Sequence, residues 1–166
     1  MKNLVNGQNL LKAWEIAKRI PGGKTLYARA LGTIVPYTGT VRPRLLELNA
    51  GHATLLLRDR PSVRNHLRSI HAIALANILE LCSGLALLTT LSPQQRAILV
   101  ALEISYQKKA RGPIIASADC QKLDETAAIP QEHIIEAVAT NQKGQIVATA
   151  KAKWRVDNHP STKKRT

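Results

Sequence analysis

Residues 70–91 read IHAIALANILELCSGLALLTTL, an apolar run interrupted only by His71, Asn77, Glu80 and a few small polar residues. Its length permits a membrane span. A carboxylate near the centre of such a span costs about 2.5–3.5 kcal/mol even on a lenient insertion scale, and Asn77 adds to that cost. The run is therefore read as a helix buried on most sides, which is what results when a sheet wraps around one.

The flanking segments supply that sheet. Upstream, Arg44–Leu48 and Ala53–Arg58 enclose Asn49-Ala50-Gly51-His52, a hairpin signal. Downstream, Ala97–Lys108 places Ile98, Val100, Leu102, Ile104 and Tyr106 on one side, and a turn at Arg111-Gly112-Pro113 leads into Pro113–Lys122, read as its hairpin partner. His133–Thr140 and Gln145–Val156 enclose Asn141-Gln142-Lys143-Gly144 and predict a third hairpin. The expected order is helix, two strands, long buried helix, four strands. This is an α+β chain with an antiparallel sheet around a central helix.

The first helix is expected over Asn9–Arg19, with Leu10, Leu11, Trp14 and Ala17 at helical spacing and Asn9 or Gly7 as cap. It stops at Pro21-Gly22-Gly23. Gly22–Pro43 is rich in Gly, Pro and Thr and reads as an irregular connection, with room for a short helix at Thr25–Leu31. The chain thus divides into residues 1–43, an N-terminal helix and connection; 44–157, the main domain; and 158–166, a basic flexible tail.

The whole is 166 residues, the size of one domain, with 45% hydrophobic and 21% charged residues. Lys and Arg number 24 against 11 Asp and Glu, a net charge of +13 that points to an anionic partner. Cys82 and Cys120 lie far apart with no C-x-x-C and no histidine at ligand spacing, which argues against a metal site and for a reducing, cytoplasmic setting. Met1–Leu11 carries no apolar run of the secretory kind.

Two features bear on chemistry. Glu80 has Ala76, Asn77, Ser83 and Gly84 as helical neighbours, so small and polar residues leave space beside an acid. The competing reading is an ion pair with one of the many cations. Before the helix, Ser62-Val63-Arg64-Asn65-His66-Leu67-Arg68-Ser69-Ile70-His71 gathers polar donors, with Ser69 as a possible N-cap. A helix N-terminus presents unpaired N–H groups and partial positive charge, suited to an oxyanion or a polarised carbonyl. His71 and Glu80, nine positions apart, fall on opposite faces about 13–14 Å apart along the axis. If they serve one site, a second copy of the chain must supply one of them, in a twofold dimer.

The element order and the run Asn65-x5-His71-x8-Glu80 resemble the hotdog-fold acyl-CoA thioesterases of the phenylacetate-pathway type. Glu103–Gly112 also looks like that family's strand and turn after the helix, and the resemblance covers about Arg44–Val156. It implies a hotdog fold in which Glu80 activates water or attacks the thioester carbon. Asn65 and the N–H of Ala72 would polarise the carbonyl, with His71 supporting them. Arg64, Arg68, Lys108, Lys109 and Arg111 are candidates for coenzyme A phosphates, and Asn77 and Ser83 for the pocket wall. Arg68, Ala72 and Ile73 stand where the family carries glycines. Leu99 stands where some members place a water-positioning hydroxyl. These departures set the chain in a divergent branch.

The reading that follows is a thioester hydrolase acting on acyl-CoA or acyl carrier protein thioesters at an intersubunit site, as a homodimer or a tetramer, with no cofactor beyond coenzyme A as part of substrate or ligand. The alternative is a non-catalytic acyl-ligand binding module of the same fold. Non-specific nucleic-acid binding, prompted by Lys151, Lys153, Arg155 and the tail Lys163-Lys164-Arg165, is disfavoured because aromatics are scarce and no helix-turn-helix or zinc spacing occurs.

Overall fold

A computed structural model describes residues 6–121 and 129–159. The tail beyond His159 lies outside the described residues. The elements in chain order are α1 (Gly7–Arg19), α2 (Gly23–Ile34), α3 (Pro36–Val41), β1 (Arg44–Asn49), β2 (His52–Leu57), α4 (Ala72–Leu88), β3 (Gln95–Tyr106), β4 (Ile114–Asp119), β5 (Gln131–Thr140) and β6 (Ile146–Asn158). The six strands form one antiparallel sheet in the order β1-β2-β4-β5-β6-β3.

The sheet wraps α4, which packs against all six strands. Ile78, Leu79, Leu85 and Leu87 are fully buried, and each contributes about 1.5–3 kcal/mol by leaving water. Apolar residues surround the helix because nearly every side of it meets the sheet or α3. Its exposed stripe is narrow, marked by Ile73, Ala76 and Glu80. This is the α+β hotdog arrangement, an antiparallel sheet around a long central helix. Among the described residues, no helix is long and apolar enough to cross a membrane.

The hairpins β1–β2 and β5–β6 form where the turn sequences place them. The middle pairing does not. β3 pairs only with β6, at the sheet edge, while β4 inserts between β2 and β5. The Arg111-Gly112-Pro113 turn is part of a crossover and not a hairpin loop. Its path is fixed by the start of α4, because Ile70 N–H donates to the Ala110 carbonyl (2.8 Å) and Asp59 accepts from Gly112 N–H (2.8 Å).

The N-terminal part also departs from expectation. Asn6, and neither Gly7 nor Asn9, caps α1, its side chain accepting from the N–H groups of Gln8 and Asn9. The stretch expected as an irregular connection is mostly helical. Its glycines are contact points: a Cβ on Gly39 would come within 2.6 Å of the Gly32 carbonyl oxygen, and one on Gly23 within 2.4 Å of the Ala17 carbonyl oxygen. α1 and α2 enclose Trp14 and Tyr27 edge to face. Buried Thr38 anchors α3 to the central helix by accepting from Asn77 Nδ2 at 3.1 Å.

Candidate active site

The loop after β2 runs over Pro61–Val63 as one short 3-10 turn and then doubles back. Val63 carbonyl accepts from His71 N–H (2.8 Å), and Asn65 N–H donates to the Ser69 carbonyl (2.8 Å). Arg68 turns the corner with φ 54°, a left-handed conformation that costs a side-chain-bearing residue what glycine adopts freely. Asn65 Oδ1 holds the loop from inside, accepting from Leu67 N–H (3.0 Å), Ser69 N–H (3.2 Å) and the Ser69 hydroxyl (3.1 Å). With the oxygen so engaged, the amide Nδ2 keeps both protons for another acceptor.

His71, and not Ser69, is the N-cap of α4. Its Nδ1 accepts from Ile73 N–H at 3.1 Å. Ser69 is instead buried and bonded to Asn65. The next N–H in line, that of Ala72, takes no acceptor among the described residues. Asn65, Ser69 and Ala72 line one shallow groove of about 350 Å³, together with Tyr106, Lys108 and Lys109. Tyr106 was not singled out as a site residue from the sequence, yet its hydroxyl donates to the Ala72 carbonyl at 3.1 Å. An aromatic at the last position of a strand was the only available signal.

The structure separates the expected phosphate ligands. Arg64 is engaged by Asp59, which also accepts from Gly112 N–H, and these contacts hold the Asp59 carboxyl below its ordinary range despite its burial. Arg111 donates to the Leu67 carbonyl (3.4 Å). Arg68, Lys108 and Lys109 are exposed, and none of them forms an ion pair among the described residues.

Neither Asn77 nor Ser83 lines the groove of Asn65. Asn77 holds Thr38, and Ser83 accepts from Trp154 Nε1 at 3.2 Å, while the Trp154 ring covers Gly84 so closely that a Cβ there would sit 2.9 Å from it. The space expected beside Glu80 is thus filled on that side by indole. Glu80 itself is half-buried, forms no ion pair or side-chain hydrogen bond among the described residues, and has its pKa raised by burial. It does not line the groove of Asn65 and Ala72.

Edge strand β3 carries a second exposed feature. Ile98 and Val100 are about half exposed, and the outer edge of this 12-residue strand has no partner strand among the described residues. The basic residues of neighbouring β6 are partly answered by acids: Lys153 pairs with Glu132 at 3.1 Å, and Lys151 stands opposite Glu103 and Glu136. That strand is a poor polyanion track.

Comparison with known families and structures gives three findings. A family model described as a domain of unknown function, DUF4442, matches residues 23–156. Among solved structures, the protein designated genomics APC5556 is 25% identical, covers 90% of this chain and 98% of its own, and superposes with a TM-score of 0.77. A Pseudomonas aeruginosa protein of unknown function, described as a probable thioesterase, is 25% identical over 84% of this chain and 97% of its own, with a TM-score of 0.72. A thioesterase family protein from Silicibacter pomeroyi shares the fold at 15% identity, 80% and 96% coverage and a TM-score of 0.66. No curated protein matches the sequence.

Proposed function

Because this chain belongs to the DUF4442 family and has the hotdog fold of proteins named as thioesterases, we propose that it hydrolyses acyl-CoA thioesters at a site shared by two copies. The observation that carries the reading is the groove at the start of α4, where Asn65 Nδ2 and the Ala72 N–H are both donors without an acceptor among the described residues. Two such donors are what a thioester carbonyl needs as its oxygen gains charge. The dipole of α4 adds to them at the same end.

The acid comes from the partner copy. Glu80 sits more than two turns along α4, outside the groove, and among the described residues no cation pairs with its carboxylate to quench it as a base. Pairing of two β3 edges would cover Ile98 and Val100 and bring a second copy against this side of the molecule. Glu80 then takes a proton from water, the water oxygen bonds to the carbonyl carbon, and the carbon–sulfur bond breaks. The proton passes to the departing sulfur, leaving a free acid and a thiol.

Reading the chain as a binding module without turnover draws on Ile73, exposed where the family carries glycine beside the donors. The unpaired state of Glu80 favours hydrolysis over it. One experiment separates the two and tests the shared site. Thiol release from acyl-CoAs is measured for Asn65→Asp, for Glu80→Gln and for a reassorted mixture of both. Each variant alone is expected to be inactive, and the mixture to regain about a quarter of the native rate, since half of the dimers are mixed and each of those has one intact site. An inactive mixture of properly reassorted chains overturns the shared site. Binding without turnover by the native chain overturns hydrolysis.

A further inference from the structure

A larger cleft, of about 1140 Å³, lies away from the groove of Asn65, between α2 and α3 on one side and the sheet end of the chain on the other. Five arginines line it: Arg29 from α2, Arg42 and Arg44 from the junction of α3 and β1, and Arg58 and Arg60 from the segment after β2. No carboxylate lines it. The acid adjacent in sequence, Asp59, is committed elsewhere, to Arg64 and to the N–H of Gly112.

The arginines divide into one fixed and four free. Arg60 donates to the carbonyls of Thr40 (3.0 Å) and Val41 (2.6 Å) and to the Ser62 hydroxyl (3.1 Å), which ties the far wall to the end of α3. Burial, and after it the nearby charge of Arg42, lower its pKa. The guanidinium groups of Arg29, Arg42, Arg44 and Arg58 have no ion pair or hydrogen bond among the described residues. Arg42 is held at φ 51°, where only a fixed backbone would keep a bulky residue.

We infer that this cleft is a binding site for an organic ester carrying two or more phosphate groups. Guanidinium forks meet phosphate oxygens two at a time, and four free forks in one concavity exceed what a single phosphate can use. Low-dielectric walls concentrate the field of like charges in such a cleft. Leu31, Pro36 and Pro43 offer an apolar surface for the organic part. No aromatic ring lines the cleft to stack on bases of a nucleic acid strand. The site needs neither Asn65 nor Glu80, so it stands or falls apart from the thioesterase reading. A free nucleoside polyphosphate and the phosphorylated nucleotide end of coenzyme A share the required chemistry.

Calorimetric titration of the full chain with inorganic pyrophosphate, ATP and coenzyme A tests the site. Saturable binding of one ligand per chain is expected for at least one of the three. Arg44→Gln/Arg58→Gln should weaken it about tenfold or more, as loss of charge-assisted hydrogen bonds implies. Arg42→Asn, which tolerates the left-handed backbone, should weaken it in a chain that keeps its native melting temperature. Lys143→Gln/Lys151→Gln, with the same change in net charge away from the cleft, should leave affinity within about twofold. Coenzyme A binding without ATP binding would identify the ligand as the nucleotide end of a thioester, and binding of both would identify a general polyphosphate site. Absence of saturable binding to all three, an equal loss in the lysine pair, or binding confined to phosphatidylglycerol vesicles would each overturn the proposal.

Discussion

Asn65 accepts both the backbone N–H and the hydroxyl of Ser69 through the same side-chain oxygen, at 3.2 and 3.1 Å. That oxygen is the clamp of the loop, so the nitrogen is the only part of the amide left for a ligand. Asn65→Asp keeps an acceptor for the loop and removes the donor. The expected outcome is a loss in kcat of about 10²–10³, with thermal stability close to native. Asn65→Ala, by contrast, should lower the melting temperature as well.

Glu80 is the next test. Burial raises its pKa, so the folded state favours the neutral acid and its charged form works against stability. The favourable contribution is fully present below the ordinary glutamate pKa of 4.5 and is lost as pH rises through the folded value. Glu80→Gln should therefore match native stability in acid and exceed it increasingly as pH rises from 4.5 through the folded value, with a constant difference above that. Denaturation across a pH series checks this. A constant difference at all pH values would mean that the carboxylate is not the cause.

Asp59 has the opposite sign. Its contact with Arg64 and its bond from Gly112 N–H hold the pKa below 3.8, so it supports the fold above that value and ceases to as pH falls through the folded pKa. Asp59→Asn should destabilise the protein at neutral pH and flatten the acid limb of its stability curve. Because the same contacts fix the crossover beside the start of α4, kcat should fall with it, as measured in the thiol-release assay.

Gly84 makes a packing prediction. A methyl group there would press 2.9 Å from the Trp154 ring, whose Nε1 is held by Ser83. Gly84→Ala is expected to cost about 1–3 kcal/mol in chemical denaturation. Trp154 fluorescence should report the displaced ring. Ser83→Ala should cost about 1–3 kcal/mol, the price of leaving the indole N–H buried without a partner.

The central helix was legible because its apolar run is too long and too uniform to lie on a surface, and β1–β2 and β5–β6 because short turns join strands that do pair. The β3–β4 error has a physical origin. Arg111-Gly112-Pro113 has hairpin chemistry, but strand order is decided by what the sheet encloses: α4 takes the chain from β2 to the far edge at β3, and the segment after β3 crosses back to place β4 beside β2. Gly32 and Gly39 misled in another way: glycines that read as helix breakers are present because two helices touch there. Asn65 and His71 were singled out by their spacing, and the structure gives them local roles before α4, His71 as its cap and Asn65 as the holder of the preceding loop. Ser83 and Asn77 were legible as polar residues on α4, but not as partners of Trp154 and Thr38, which come from distant parts of the sequence. The arginine cleft was invisible for the same reason, since its members are scattered from Arg29 to Arg60.

The cap on α4 also settles a question of proton position. A neutral imidazole has one nitrogen that gives and one that takes, and Nδ1 of His71 is taking the Ile73 N–H. The mobile hydrogen must then reside on Nε2. As long as the cap holds, the free edge of this ring offers a proton and has no lone pair for one, so His71 is suited to gripping an oxygen and unsuited to deprotonating water.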